Sequence, residues 1–380
     1  MKILKIISRI IVGVVFIFSG FVKAVDPLGT VYKFGDYLNA FNLSFLTPLC
    51  LLFAIGLCTL EFLGGISVLF NIKPKIGIWT VTLLMAVFTP LTFVLALTNP
   101  VSDCGCFGDA IHLTNWQTFF KNVVLAVPTA FLFIKRNEQD SNLKSKSEWT
   151  IIVASTLLFL IFIFYNLRYL PIIDFLPYKV GTYIPEKMIV PEGMPVDQYE
   201  TTFIYEKEGK QEEFTLENYP ANDTTWKFVD ARTKLVSKGY EPPIHDLTFT
   251  NENGEDKTDR ILASQNYTMF MISKKLGEVK AEKIREGLSF GEELKSLGID
   301  FYLLTSSSSG EVRDYITPKI FTGIPVFEEK DDFYLVDEIT LKTMVRSNPG
   351  FMLIKEGTII AKWSWAGRPD IETIINILNN

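Results

Sequence analysis

Hydrophobic residues are distributed differently in the two halves of the chain. Up to about residue 170 they form long unbroken runs, whereas beyond it charged residues interleave with short apolar segments. About 20 apolar residues, rising about 1.5 Å each, cross the hydrocarbon core of a bilayer as a helix. Runs of this length predict five transmembrane helices near 6–24, 46–72, 76–97, 116–134 and 149–167.

Basic residues predict the orientation of these helices. They precede the first run and separate the second from the third and the fourth from the fifth: Lys2, Lys5, Arg9, Lys73, Lys75, Lys135, Arg136, Lys144 and Lys146. The loop 98–115 contains no Lys or Arg. By the positive-inside rule the N-terminus is cytoplasmic, and this loop and everything after Arg168 lie outside. The prediction is a multi-pass inner (cytoplasmic) membrane protein with a periplasmic C-terminal domain.

Two further points concern the first run and the overall charge. Basic residues before the first run and a small-residue pattern at 22–24 also fit a cleavable signal peptide, which is the alternative to a first spanning helix.

The net charge is −6, and no cluster of Lys and Arg lies outside the membrane flanks. This charge pattern argues against nucleic acid as a partner.

The segment after the fifth run contains a stretch rich in Pro and Gly, followed by a stretch of alternating apolar and polar residues. "YLPIIDFLPYKVGTYIP" (169–185) is rich in Pro and Gly and predicts an extended connector along the membrane surface. "TTFIYEKEGKQEEFTL" (201–216) alternates around a Gly turn, which predicts a β-hairpin within a small β-rich module from about 195 to 240.

From Pro242 onward, strand and helix patterns alternate. Strands are predicted at 267–273 and 299–305, helices at 280–298, 337–347 and 370–379, and a hairpin turning at Glu356-Gly357. This order and the segment "SNPGFMLIKEGTIIAKW" resemble thioredoxin, which makes Pro349 the cis-proline before the final hairpin. The thioredoxin Cys-x-x-Cys is replaced by "ISKKLGEV", and no cysteine follows residue 106. The domain therefore has no dithiol chemistry of its own, and binding or docking onto the membrane half is the expected role.

The loop 98–115 contains a Cys-x-Cys pair, Cys104 and Cys106, for which three roles are open. A direct disulfide closes a small strained ring, and strained exposed disulfides are labile, which favours redox exchange. A structural turn or disulfide is the second role. Metal binding with His112 is the third, although the second ligand pair of a structural zinc site is absent. Asp103 and Asp109 are expected to raise the thiol pKa by like-charge repulsion.

Polar residues within the apolar runs are further candidates. Cys50 and Cys58 lie about 80° apart around one helix and cannot bond each other, but Cys50 is expected near the Cys-x-Cys loop. Glu61 is mid-helix and needs a partner such as Lys23 or a backbone group, with either a structural role or a proton-handling or ligand role. Arg9 and Lys121 are placed to snorkel to the headgroups. Gly64 and Gly65 permit close helix packing.

The motifs also resemble known membrane families. "RIIVGVVFIFSGFVKAVDPLG" resembles the DoxX family, and "DCGCFGD" followed by "LTNWQTFFKNVVLAV" resembles the related MauE family, together over roughly residues 8 to 134. The whole arrangement is similar to DoxX proteins of the Bacteroidota type with a thioredoxin-like tail. The resemblance implies a four-helix membrane domain. MauE-like proteins are linked to maturation of disulfide-rich periplasmic enzymes, and DoxX-like proteins to membrane oxidoreductase complexes and thiol stress.

Together these observations predict a multi-domain membrane protein. An α-helical transmembrane bundle of four helices (1–136) is followed by a cytoplasmic loop and fifth helix (137–170), a periplasmic connector and β-rich module (171–241), and an extracytoplasmic α/β thioredoxin-like domain (242–380).

The leading hypothesis for function is periplasmic thiol-disulfide metabolism or maturation of exported proteins. Cys104 and Cys106 are the exchange pair, Cys50 is a further partner, and Glu61 contacts a proton or ligand. A membrane quinone is a candidate electron acceptor, although no residue pattern specifies one, and no other cofactor or metal is evident. The alternative is a non-catalytic adaptor or accessory subunit of an envelope or translocation assembly. The expected partners are periplasmic or exported proteins, membrane lipids and membrane complex subunits.

Overall fold

The computed structural model describes residues 1–101, 104–141, 143–220, 223–237, 239–316 and 332–379. The N-terminal half is helical, with the helices α1 (Lys2–Val25), α2 (Pro27–Ala40), α3 (Cys50–Phe70), α4 (Pro74–Thr98), α5 (Asn115–Ile134) and α6 (Ser145–Arg168). All except α2 are long and apolar enough to cross a membrane, which confirms the five predicted spans. Their outward faces carry exposed apolar side chains such as Leu52, Val124 and Leu158, as expected of a surface in lipid.

Helix α2 is the element that the apolar pattern did not predict. It begins at Pro27 because Asp26 caps it, the Asp26 carboxylate accepting from the backbone N–H of Gly29 at 3.0 Å. An acidic cap followed by Pro is a strong start signal for a helix. Helix α2 packs against α3, beside the ends of the spans.

Small residues let α1 and α3 approach closely. A Cβ atom on Gly65 would lie 2.7 Å from the backbone nitrogen of Ile17, and one on Gly20 would lie 2.7 Å from that of Phe62. A Cβ atom on Gly64 would lie 3.2 Å from the side-chain atom Cγ1 of Val81 in α4. The packing role predicted for Gly64 and Gly65 is therefore confirmed, since no larger side chain fits these contacts without displacement.

Arg9 has hydrogen-bond partners within the bundle that were not predicted. Its guanidinium donates to the carbonyl oxygens of Val68 and Leu69, each at 2.9 Å. These carbonyls belong to the last turn of α3, where carbonyls have no partner within the helix. The contact satisfies two helix-end acceptors and joins the start of α1 to the end of α3.

The C-terminal half contains two separate sheets. Its strands are β1 (Gln198–Lys207), β2 (Lys210–Phe214), β3 (Lys227–Ser237), β4 (Tyr267–Ile272), β5 (Asp300–Thr305), β6 (Phe333–Leu335), β7 (Gly350–Lys355) and β8 (Thr358–Ser364). Its helices are α7 (Ile184–Met188), α8 (Thr258–Leu262), α9 (Ala281–Ser296), α10 (Ser309–Ile316), α11 (Glu338–Met344) and α12 (Ile371–Leu378). The first sheet is antiparallel with the order β2-β1-β3, and it contains the predicted hairpin.

The second sheet, with its helices, is called the C-terminal sheet domain (residues 242–379). Its strand order is β6-β5-β4-β7-β8, with β4 parallel to β5 and antiparallel to β7. Both faces are buried: Phe270 and Ile272 pack on one side, and Met269 and Met271 on the other. This explains the unbroken apolar run in β4. The strands and helices predicted after Pro242 are confirmed, as is the cis bond before Pro349, whereas α10 and β6 were not predicted.

The connector packs on the C-terminal sheet domain, a contact that was not predicted. The backbone of Gly181 and Thr182 hydrogen-bonds with Ile359 in β8, and Tyr178 and Ile184 are buried in the core of the sheet. These apolar side chains complete the core and protect the edge strand β8 from solvent. The Pro and Gly positions predicted an irregular chain correctly, but the burial of its apolar residues against the sheet was missed.

Candidate functional site

Hydrogen bonds hold the Cys-x-Cys loop in place at its two ends and at the carbonyl groups of both cysteines. Asn115 donates from Nδ2 to Asn99 Oδ1 at 2.7 Å and to the Val101 carbonyl at 2.8 Å, which ties the two ends of the loop together. The Tyr37 hydroxyl donates to the Cys104 carbonyl at 2.5 Å. Gly105, with φ of +60°, provides the left-handed turn between the cysteines. The two Sγ atoms lie 3.1 Å apart as free thiols.

A buried polar cluster lies under the loop. Lys23 Nζ donates to both carboxylate oxygens of Glu61 at 2.8 Å and to Ser19 Oγ at 3.0 Å. Ser19 Oγ in turn lies 2.9 Å from Glu61 Oε2 and 2.8 Å from the Cys106 carbonyl oxygen. The Lys23 and Glu61 side chains are 5% and 3% exposed. The partner predicted for Glu61 is therefore confirmed, and the pair is connected to Cys106 through one hydroxyl.

The two thiols are electrostatically unequal. The hydrogen bond from Cys104, followed by the positive charges of Lys121 and Lys23, lowers the pKa of Cys106 to about 6 in spite of burial. The same hydrogen bond, together with burial, raises the pKa of Cys104 above its ordinary value. Cys106 is thus the thiolate, and a thiolate is the nucleophilic form.

This inequality corrects the expectation that nearby aspartates raise both thiol pKa values. Asp109 is neutralised by Arg346, whose Nη2 donates to Asp109 Oδ2 at 2.8 Å. Asp103 lies outside the described residues. Sequence proximity overestimated the effect of Asp109, because its countercharge comes from a residue far along the chain.

A cleft opens between the loop and the bundle. It contains about 880 Å³ of empty space, including the part open to the outside. Its polar end is formed by Cys104, Cys106, Glu61, Lys23 and Lys121, whereas its deeper wall is apolar, with residues such as Phe16, Leu57, Met85, Phe88, Leu91 and Leu125. A cleft with convergent polar groups at one end and apolar walls is typical of a small-molecule site.

The remaining predicted residues differ in their relation to the cleft. Cys50 and Cys58 are buried free thiols that are not among the residues lining the cleft. Exchange between Cys50 and the pair stays a prediction. His112 is exposed, and the described parts of the chain hold no group of three potential metal ligands. Lys121 does not snorkel: its Nζ lies 4.3 Å from the ring centroid of Phe107 and lines the cleft.

The hydrogen bond between the thiols predicts an unusual pH dependence of alkylation. We expect the alkylation rate of Cys106 to reach half its maximum near pH 6, rising with pH as the thiolate forms, and not near pH 8.5, about the ordinary thiol value. Replacing Cys104 by alanine removes the donor, raises the pKa of Cys106, and slows alkylation at pH 6.5 by at least about tenfold. The measurement is mass spectrometry of the loop peptide after timed alkylation.

Cys50→Ser is the control for this series, because Cys50 is not among the cleft residues. The contrary result is an alkylation midpoint of Cys106 above pH 8, about the ordinary thiol value, in both the unmodified protein and the Cys104→Ala variant. It would show that the hydrogen bond from Cys104 does not lower the pKa of Cys106.

The comparisons with known proteins agree with the helical half. Residues 1–135 match the family described as Methylamine utilisation protein MauE. Residues 199–238 match a Domain of unknown function (DUF8463), which covers the first sheet. A search of curated proteins finds no match. The chain is therefore a multi-pass membrane protein with a MauE-like helix bundle that carries the Cys-x-Cys loop, followed by a sheet-containing C-terminal region.

Proposed function

We propose that this protein acts in thiol-disulfide metabolism outside the cytoplasm, in the oxidation or maturation of exported proteins. The observation that carries the proposal is the Cys104–Cys106 pair, with its thiols 3.1 Å apart at the polar end of a cleft whose deeper wall is apolar. Two unequal, adjacent thiols are suited to exchange, because Cys106 is the thiolate and Cys104 carries the second proton.

The proposed cycle balances two electrons and two protons. A client dithiol reduces the Cys104–Cys106 disulfide through a mixed disulfide, leaving the client oxidised and the pair as thiol and thiolate. The pair then closes again by passing two electrons to a membrane quinone, which takes up two protons and becomes a quinol. The apolar wall of the cleft supports a lipid-soluble acceptor of this class. The Ser19, Lys23 and Glu61 cluster beneath Cys106 would hold or move a proton during this step.

The proposed location follows the basic residues. The positive-inside rule supports a cytoplasmic N-terminus, with the cysteine loop and the C-terminal sheet domain in the periplasm. Such a compartment permits disulfides. The strand order of the C-terminal sheet domain supports a thioredoxin-like fold, in which the segment "ISKKLGEV" occupies the place of the Cys-x-x-Cys.

Anaerobic reaction with a quinone tests the proposal. The reduced, purified protein is mixed with a short-chain quinone, and quinol absorbance and loop-peptide mass are followed together. We expect one quinol and one Cys104–Cys106 disulfide for each chain. Cys58→Ser is a matched control that keeps this yield, whereas Cys106→Ser gives neither product. If the unmodified protein forms no quinol, quinone is not the acceptor. If Cys104 and Cys106 react with no oxidant at all, the redox function is refuted.

An adaptor role is the second candidate, and the first sheet supports it. Strand β3 is the edge of this sheet and is exposed along its whole length. Tyr199, Leu216 and Phe228 are 61%, 67% and 59% exposed. An exposed edge strand and apolar side chains are typical of a surface that binds protein partners. In this reading the helix bundle anchors a binding module, and the cysteine pair only shapes its loop.

A further inference from the structure

A cluster of charged and aromatic residues is one of the places where the C-terminal sheet domain contacts the helix bundle. On the domain these are Lys274, directly after β4, and Lys342 and Arg346, at and after the end of α11. They are called the docking face. On the bundle they are Asp26, Tyr32 and Asp109, called the rim. Lys274 belongs to the segment "ISKKLGEV", which by the resemblance to thioredoxin occupies the place of the Cys-x-x-Cys. By that resemblance the docking face corresponds to the redox face of a thioredoxin.

Arg346 is the centre of this contact. Its Nε donates to Asp26 Oδ2 at 2.7 Å and its Nη2 to Asp109 Oδ2 at 2.8 Å, while its Nη1 donates to the Lys342 carbonyl. The Arg346 side chain is only 5% exposed, so the contact is desolvated. Breaking one partner of a buried pair leaves an uncompensated charge, which is strongly unfavourable. One side chain thus joins the end of α1, the cysteine loop and the sheet domain.

Tyr32 inserts between the cations of the docking face. Lys274 Nζ donates to the Tyr32 hydroxyl at 2.5 Å. The cationic groups of Lys274, Lys342 and Arg346 lie 5.0, 5.0 and 5.3 Å from the centre of the Tyr32 ring. Each charged group is attracted by the ring. Burial, followed by the positive charges of Arg346 and Lys342, lowers the pKa of Lys274 to about 7. Burial raises the pKa of Tyr32 to about 12, so the hydroxyl remains protonated.

The rim is also the border of the cleft. Asp109 lines the cleft and is bound by Arg346. Gly29, Thr30 and Lys33, which precede and follow Tyr32 on α2, line it too. The sheet domain therefore binds one residue of the cleft wall, Asp109, and two residues, Asp26 and Tyr32, that lie within three positions of other wall residues.

We propose that the rim is a docking surface for the chain's own C-terminal sheet domain, and that docking closes the water-facing side of the cysteine cleft. Large soluble thiols then reach the pair only when Arg346 releases Asp109, whereas small or lipid-soluble molecules still enter. This deepens the proposed function by naming how a protein client would gain access. The closure itself does not depend on the pair being redox active.

The test compares two thiol reagents of different size on the reduced, full-length protein in lipid nanodiscs. One is N-ethylmaleimide and the other is a maleimide on a polyethylene glycol chain. Arg346→Ala should accelerate modification of the loop cysteines by the large reagent at least about tenfold, as expected when a docked domain opens locally. It should change the rate with the small reagent less than about threefold, because the thiols themselves remain in place.

The controls separate docking from general damage. Lys295→Ala removes ion pairs within the sheet domain to Asp332 and Glu292, away from the rim, and should change neither rate. Asp109→Asn weakens the same contact from the bundle side with a side chain of equal size. If Arg346→Ala does not fold, the rates of the two reagents on Asp109→Asn test the proposal instead. Equal acceleration with both reagents, or no acceleration with either, would overturn the proposal. Neither result would bear on quinone reduction, which is measured separately.

Discussion

Replacing Cys106 by serine is expected to abolish disulfide transfer to a client, with a loss of at least about 10²-fold in rate. The reason is that the thiolate is the nucleophile and serine provides none at neutral pH. Cys104→Ser should lose a comparable amount, because a disulfide needs both sulfurs, but this variant should accumulate a mixed disulfide through Cys106. The measurement is client oxidation by purified protein, with trapped mixed disulfides separated on non-reducing gels.

Cys50→Ser and Cys58→Ser are the matched controls, since both thiols are buried and are not among the cleft residues. They should retain transfer at the rate of the unmodified protein. If the double variant Cys104→Ser with Cys106→Ser also retains it, the pair has no redox function, and the adaptor role becomes the better account. A loss of transfer in Cys50→Ser would instead restore the predicted exchange between Cys50 and the loop.

Replacing Glu61 by leucine is expected to destabilise the bundle by about 3–5 kcal/mol, because Lys23 is then a buried charge without its carboxylate. Replacing Lys23 by methionine as well should recover most of this loss, since an apolar pair of similar volume suits the same space. The measurement is unfolding of the detergent-solubilised single and double variants.

The double variant also separates a structural from a functional role for the cluster. If Glu61 holds or moves a proton during quinone reduction, the double variant should be stably folded but should reduce quinone slowly. A double variant that is stable and fully active would show that the ion pair only holds α1 and α3 together. A double variant as unstable as the single one would contradict the assignment of the loss to the unpaired charge.

The sequence was sufficient for the features that depend on local pattern. Apolar run lengths predicted the five spans, and short apolar runs, turn residues and helical spacing predicted the strands β4, β5, β7 and β8 and the helices α9, α11 and α12. Glu61 and Lys23 could be paired in advance, because ionised groups inside a bundle need each other and few others were available.

What the sequence could not predict is contact between residues far apart. Arg346 reaches Asp26 across 320 positions and Asp109 across 237, and no local pattern marks an arginine near a sheet for such a role. Ser19 was missed because a serine in an apolar helix usually bonds its own backbone. Tyr37 was missed because α2 itself was not recognised, although Asp26-Pro27 is a readable start signal.

The central claim is that Cys104 and Cys106 interconvert between dithiol and disulfide. The most direct test is differential alkylation in intact membranes, with mass spectrometry of Cys104, Cys106, Cys50 and Cys58 before and after mild reduction. The account predicts a mixed, readily reduced population at Cys104 and Cys106 and permanently free thiols at Cys50 and Cys58. Cysteines that are uniformly free, or a loop disulfide that resists reduction, would contradict it.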